Sequence, residues 1–114
     1  MDVSFNFEFH GKESLLYPIL QNIEDGLIIA DTSLRIVFFN HAAERLFKQS
    51  AEEVLGTSLE NLKPNLKIQQ MLNNRQRFEK SRVIIRGEDV LITRGLLETA
   101  PGSYAAYALL QPVS

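Results

Sequence analysis

Cysteine and tryptophan are both absent from this chain. Without cysteine there is no disulfide, no thiolate nucleophile and no thiolate metal site, and a reducing cytoplasmic location fits that composition. Histidine occurs only as His10 and His41. Neither belongs to a recognisable zinc, triad or phosphate-loop motif. Long apolar runs are missing too. Runs such as residues 27–30 and 36–39 fall far short of the ~20 residues of a helical membrane span. The first ten residues, MDVSFNFEFH, lack the basic start and apolar centre of a secretion signal. No sign of charge dominates: 12 Lys and Arg face 14 Asp and Glu, for a net charge of -2. Whole-domain attraction to nucleic acid or to an anionic membrane is therefore not expected. The basic residues Arg75, Arg77, Lys80 and Arg82 are interrupted by Glu79 and read as a solvated loop entering a strand.

What is present is enough for one folded unit. The 114 residues suit a single domain, and 45% hydrophobic with 23% charged residues is ordinary for a globular one. Val3, Phe5, Phe7 and Phe9 alternate with polar residues, which predicts a strand with one aromatic face. Ser14 is a candidate N-cap for a helix carrying Leu15, Leu16, Ile19, Leu20 and Ile23, with Gly26 as its stop. Residues 27–30 and 36–39 read as a hairpin around Asp31-Thr32-Ser33. Asn40 can cap a helix with Ala43, Leu46 and Phe47 inward. Ser50-Ala51-Glu52-Glu53 has the form of a capping box. Asn65 is a candidate cap for a helix over 65–74. Strands are expected over 83–85, 90–98 and 104–111, turned at Gly87-Glu88-Asp89 and Pro101-Gly102. Strands on either side of a helical block imply an α+β fold with antiparallel hairpins.

This order resembles the PAS family of sensory domains. The likeness is carried by Asp31 and its turn, Phe39-Asn40, Ala42-Ala43-Glu44, Leu46-Phe47, Gly56 and Leu62. It implies a five-stranded antiparallel sheet with helices packed on one face, over residues 14–112. Residues 1–13 would form a flanking segment. It also implies sensing rather than catalysis, and the carboxylate pairs Glu24-Asp25, Glu52-Glu53 and Glu88-Asp89 are better explained by capping and solvation than by acid–base work. No cofactor is expected. Haem-binding relatives place a histidine on the helix that corresponds to 65–74, which has none. Photoreactive flavin relatives need a cysteine.

A ligand pocket of the PAS type would lie between the sheet and helix 65–74. Its candidate lining is Ile29, Phe38, Phe47, Leu62, Met71, Leu72, Ile84, Ile92, Arg94 and Tyr107, residues that ordinary core packing would equally explain. Arg94 shares its strand face with Ile92 and Leu96. Facing inward, its guanidinium would need an anionic partner such as a ligand carboxylate. Facing outward it would be solvated or in a dimer contact, and outward is the reading preferred from sequence. The aromatic stripe Val3, Phe5, Phe7, Phe9, with Leu16 and Leu20, is the candidate homodimer interface. Residues 90–94 resemble a strand of the PAS domains in sigma-54-dependent activators, with Thr93 departing from the usual asparagine. The expected function is a cytoplasmic regulatory sensor domain of a bacterial signalling protein, ahead of a transcriptional activator or a kinase effector. The alternative is a ligand-free interaction module. A small organic ligand and a second copy are the expected partners, with no direct contact to nucleic acid or membrane.

Overall fold

The computed structural model describes residues 15–113. The aromatic stripe Val3, Phe5, Phe7, Phe9 and the candidate cap Ser14 lie outside the described residues. In chain order the elements are helix α1 (Leu16–Asn22), strands β1 (Gly26–Ala30) and β2 (Ile36–Phe39), and helices α2 (His41–Phe47) and α3 (Ala51–Val54). A 3₁₀ turn (Leu59–Asn61) and helix α4 (Ile68–Asn73) follow, then β3 (Phe78–Ile85), β4 (Glu88–Ala100) and β5 (Ser103–Pro112). The strands form one antiparallel sheet in the order β2-β1-β5-β4-β3.

The α+β class and the five-stranded sheet agree with the sequence reading, and so do the two best capping signals. Asn40 accepts a hydrogen bond from the Ala43 amide at the start of α2. Ser50 and Glu53 close a capping box around α3, at 3.2 and 3.0 Å. Two helix boundaries differ. Gly26 does not stop α1, which ends at Asn22, but opens β1 as a buried strand residue. A Cβ there would stand 3.2 Å from Leu110 and 3.3 Å from Leu46, so glycine lets α2 approach the sheet. Asn65 does not cap α4. Its Oδ1 accepts from the Lys67 amide at 2.6 Å and bends the loop, and α4 starts only at Ile68, after Lys67 in a left-handed conformation. The basic run is likewise no loop throughout, because Lys80 and Arg82 belong to β3 and Arg82 pairs with Asp89 at 2.6 Å.

The core lies on the helical face of the sheet. Ile28, Ala30, Ile36 and Phe39 from β1 and β2 meet Val90, Ile92, Leu96, Ala106, Ala108 and Leu110 from the central strands. Helices and loops add Ala43, Leu46, Phe47, Val54, Leu59, Leu62, Leu66, Ile68 and Met71. The register places Ile28 opposite Phe39 and Ile29 opposite Phe38, but Ala30 opposite Ile36. Val37 is thus the extra residue of a bulge. The bulge reverses the alternation, so Ile36 and Phe39 both point into the core while Phe38 faces the other way.

The opposite face carries its own apolar row. Phe38, Ile29, Tyr107, Gly95 and Phe78 are successive cross-strand neighbours through all five strands. Tyr17 of α1 closes one end, its ring edge-on to Phe38 at 5.8 Å. Tyr107 lies flat over Gly95, where a Cβ would come within 2.3 Å of the ring. Glycine in mid-strand is explained by that close approach.

Candidate functional site

The expected pocket residues divide between the two faces. Phe47, Leu62, Met71 and Ile92 come together in the core beneath α2 and α4, with Leu72 packed at its edge. Ile29, Phe38 and Tyr107 are corrected to the outer face, by strand alternation for Ile29 and Tyr107 and by the Val37 bulge for Phe38. Ile84 is also corrected: it is 63% exposed, because its neighbour Ile85 takes the inward position. Of the expected dimer residues within the described chain, Leu16 is exposed and Leu20 half-buried.

Arg94 faces inward, against the preferred sequence reading. It is 9% exposed and shares the helical face with Ile92 and Leu96. Its Nη1 donates to the Leu66 carbonyl at 2.7 Å and its Nη2 to Ser81 Oγ at 2.7 Å. The Glu79 carboxylate stands 3.2 Å from Nη2. The buried Nε has no hydrogen-bond partner among the described residues. Burial of a guanidinium is tolerable only with such partners. Glu79 is the register partner of Arg94, and Ser81 is two residues further along β3 on the same face. Sequence reading missed both, although the alternation Glu79, Ser81, Val83, Ile85 marks a single inward face. The Leu66 bond ties the sheet to the loop that leads into α4.

Two clefts flank this guanidinium. One, of about 250 Å³, is lined by Lys67, Gln70, Met71, Asn74, Gln76, Glu79 and Arg94. The other, of about 300 Å³, runs past Asn65, Leu66, Ser81, Val83 and Ile92 and again touches Lys67 and Arg94. Among the described residues no group of three or more His, Asp and Glu side chains is placed to hold a metal ion.

A second polar cluster holds the helices of the core together. Glu44 Oε2 accepts from the Ala51 amide at 2.6 Å, and Oε1 lies 3.3 Å from His41 Nδ1. The Ala51 hydrogen bond holds the Glu44 carboxyl below its usual range, with His41 and Arg45 adding to the effect against partial desolvation. A depressed folded-state value means that the stabilisation is fully present above the unfolded value and is lost as pH falls through the folded one. Glu44→Gln keeps an acceptor but removes the charge. Its stability deficit relative to the parent is expected to be near 1 kcal/mol at neutral pH and to shrink below about pH 4.5. Urea midpoints measured across that range give the check. A pH-independent deficit would show that the charge contributes nothing.

A family model described as the PAS fold matches residues 14–95. The chain belongs to the PAS family. No curated protein matches it in sequence. Among solved structures, this PAS domain is similar to the PAS domain of nitrogen regulation protein NR(II) from Vibrio parahaemolyticus. The TM-score is 0.64 at 23% identity, over 88% of this chain and 99% of that one. It is also similar to a chain of the Escherichia coli DhaR(N)–DhaL complex, with a TM-score of 0.72 at 23% identity, over 93% of this chain and 37% of that one. A third likeness is to histidine kinase ThkA in complex with response regulator TrrA, with a TM-score of 0.68 at 22% identity, over 84% of this chain and 30% of that one. At these identities the likenesses establish the fold. No helix among the described residues of the PAS domain is long and apolar enough to cross a membrane.

Proposed function

We propose that this PAS domain is a non-enzymatic, cytoplasmic sensor and dimerisation module of a bacterial signal-transduction protein, preceding an activator or kinase effector. The observation that carries this reading is the way α4 is held. It has only six residues and no side-chain cap. Its leading loop is tied to the sheet by the Arg94–Leu66 hydrogen bond, and clefts open on both sides of that tie. So short a helix depends on tertiary contacts rather than on its own propensity. A molecule that binds its two arrangements unequally would shift it. The structural likenesses to a nitrogen regulation protein, to DhaR and to a histidine kinase support the signalling context.

The dimer is proposed to use the apolar outer face together with the N-terminal aromatic stripe. Tyr17, Ile29, Tyr107 and the half-exposed Phe78 supply a face suited to a second copy. The double variant Phe5→Ser/Phe7→Ser is expected to weaken self-association at least tenfold. Sedimentation velocity over a concentration series measures this, and an unchanged sedimentation coefficient would remove the stripe from the interface.

The ligand-free interaction module is favoured by one observation: Phe47, Leu62, Met71 and Ile92 are all buried in the core, and the clefts that Met71 and Ile92 border open outward beside α4. Native mass spectrometry followed by denaturation separates the readings. A small mass lost on denaturation supports the sensor. A clean protein mass that no added small molecule changes supports the interaction module.

A further inference from the structure

The guanidinium of Arg94 has partners on two of its three nitrogens and none on the third. Leu66 and Ser81 satisfy Nη1 and Nη2 with neutral oxygens, and among the described residues Glu79 supplies the one carboxylate paired with it. That charge reaches Nη2 alone and leaves the buried Nε–H without an acceptor. Nε and Nη2 form the guanidinium edge that takes a carboxylate side-on through two parallel hydrogen bonds. Only half of that edge is used. The Glu79 side chain is 34% exposed, so it can swing towards water, whereas Arg94 at 10% cannot follow it. The surrounding charges favour an anion. Lys67 lines both clefts, and among the described residues Glu79 is the only carboxylate lining either, while Arg82, which lines one, is already paired with Asp89.

We propose that Arg94 recognises the carboxylate group of a small organic acid, which displaces Glu79 from the guanidinium and thereby moves the tie between β4 and the loop into α4. The inference rests on the sensor reading and gives its ligand a chemical class. Glu79 is then a built-in competitor. It neutralises the buried cation when ligand is absent and sets the concentration at which ligand succeeds. The clefts, of about 250 and 300 Å³, suit a molecule of few heavy atoms. The bond from Nη1 to Leu66 makes the site mechanically relevant, because the group that meets the ligand also holds the approach to α4.

The test is a proton–nitrogen NMR titration of the whole chain that follows the Arg94 Nε–H and the backbone amides of α4. Benzoate and succinate are the probes, and benzamide and succinamide are their neutral counterparts. The two acids are expected to move the Nε–H resonance saturably, and the amides are not. Glu79→Gln removes the competitor without touching the core and is expected to tighten both acids roughly three- to tenfold, the worth of a partly exposed ion pair. Arg94→Lys is expected to abolish the response; a misfolded Arg94 variant leaves the Glu79→Gln result to decide. Equal binding of acids and amides overturns the proposal. So does an affinity unchanged in Glu79→Gln, or an Nε–H that no acid moves in that variant. Amides that shift α4 while the acids do not would overturn the carboxylate class and leave the sensor reading standing. Silence of α4 towards every probe, together with a clean native mass, would overturn both.

Discussion

Replacing Asn40 by alanine is expected to destabilise the domain by about 3–5 kcal/mol. Asn40 is fully buried, and all four hydrogen bonds its side chain makes are to backbone. Oδ1 accepts from the Leu27 amide at 2.9 Å and from the Ala43 amide at 3.0 Å. Nδ2 donates to the Leu20 carbonyl at 2.9 Å and to the Asp25 carbonyl at 3.0 Å. One amide therefore joins α1, the turn before β1, β1 itself and the first turn of α2. Truncation removes a helix cap worth about 1 kcal/mol and leaves up to three more backbone groups short of a partner at about 1–3 kcal/mol each. The total is less than the sum, because the groups form one network and α1 can fray to reach water. Asn40→Asp is the informative companion. It keeps both acceptor roles but turns lone pairs towards the Leu20 and Asp25 carbonyls, so it is expected to lose nearly as much at neutral pH. Urea unfolding of the three proteins measures the differences. A loss below about 1 kcal/mol for Asn40→Ala would mean that water replaces the amide.

Phe47→Ala is expected to cost a similar amount, about 3–5 kcal/mol, for a different reason. Phe47 is fully buried at the end of α2 and tilts against Phe39 with 5.9 Å between ring centroids. Its removal takes away apolar burial and leaves a void that β1, β2 and α2 cannot close, because α2 is already drawn onto β1 at Gly26. Such a void is dry and apolar, and a molecule of matching shape can occupy it. Benzene is therefore expected to raise the melting temperature of Phe47→Ala and to leave that of the parent unchanged. A variant that loses less than about 1 kcal/mol, or that ignores benzene, would show that the core collapses around the deletion. The experiment also bears on where ligands enter. Phe47 resembles a pocket-wall residue in sequence, yet in the fold it is filled core, and the clefts beside Arg94 do not reach it.

The elements of the fold were legible because their punctuation is chemical and local. Asn40 and Ser50 cap where short polar side chains should, and the turn after Asp31 forms with its carboxylate accepting from the Ser33 and Arg35 amides. The sidedness of the strands was much less legible. Ile28 and Ile29 are equally apolar, as are Ile84 and Ile85, so alternation defines two faces without saying which one meets the helices. The bulge at Val37 added a reversal that no residue preference announces. Sequence alone favours an outward Arg94 because a charged residue is seldom buried, a tendency that three partners from two other segments overrule. Those partners depend on register and on the path of the loop before α4, and neither is local. The same holds for Asn65, which suits a cap in sequence and serves a loop turn in the structure.

The strand order β2-β1-β5-β4-β3 places the last of the described strands in the middle of the sheet. Before Ser103–Pro112 is available, the polypeptide can form two separate ribbons, β1 with β2 and β3 with β4, each with an open edge and one uncovered apolar face. β5 then pairs with both at once, joining residues 26–30 to a segment some eighty positions later. During synthesis the domain therefore gains its core in one late step rather than by gradual accretion. Until β5 joins them, the two half-sheets keep uncovered apolar faces, and that is the stage at which the chain is most open to aggregation.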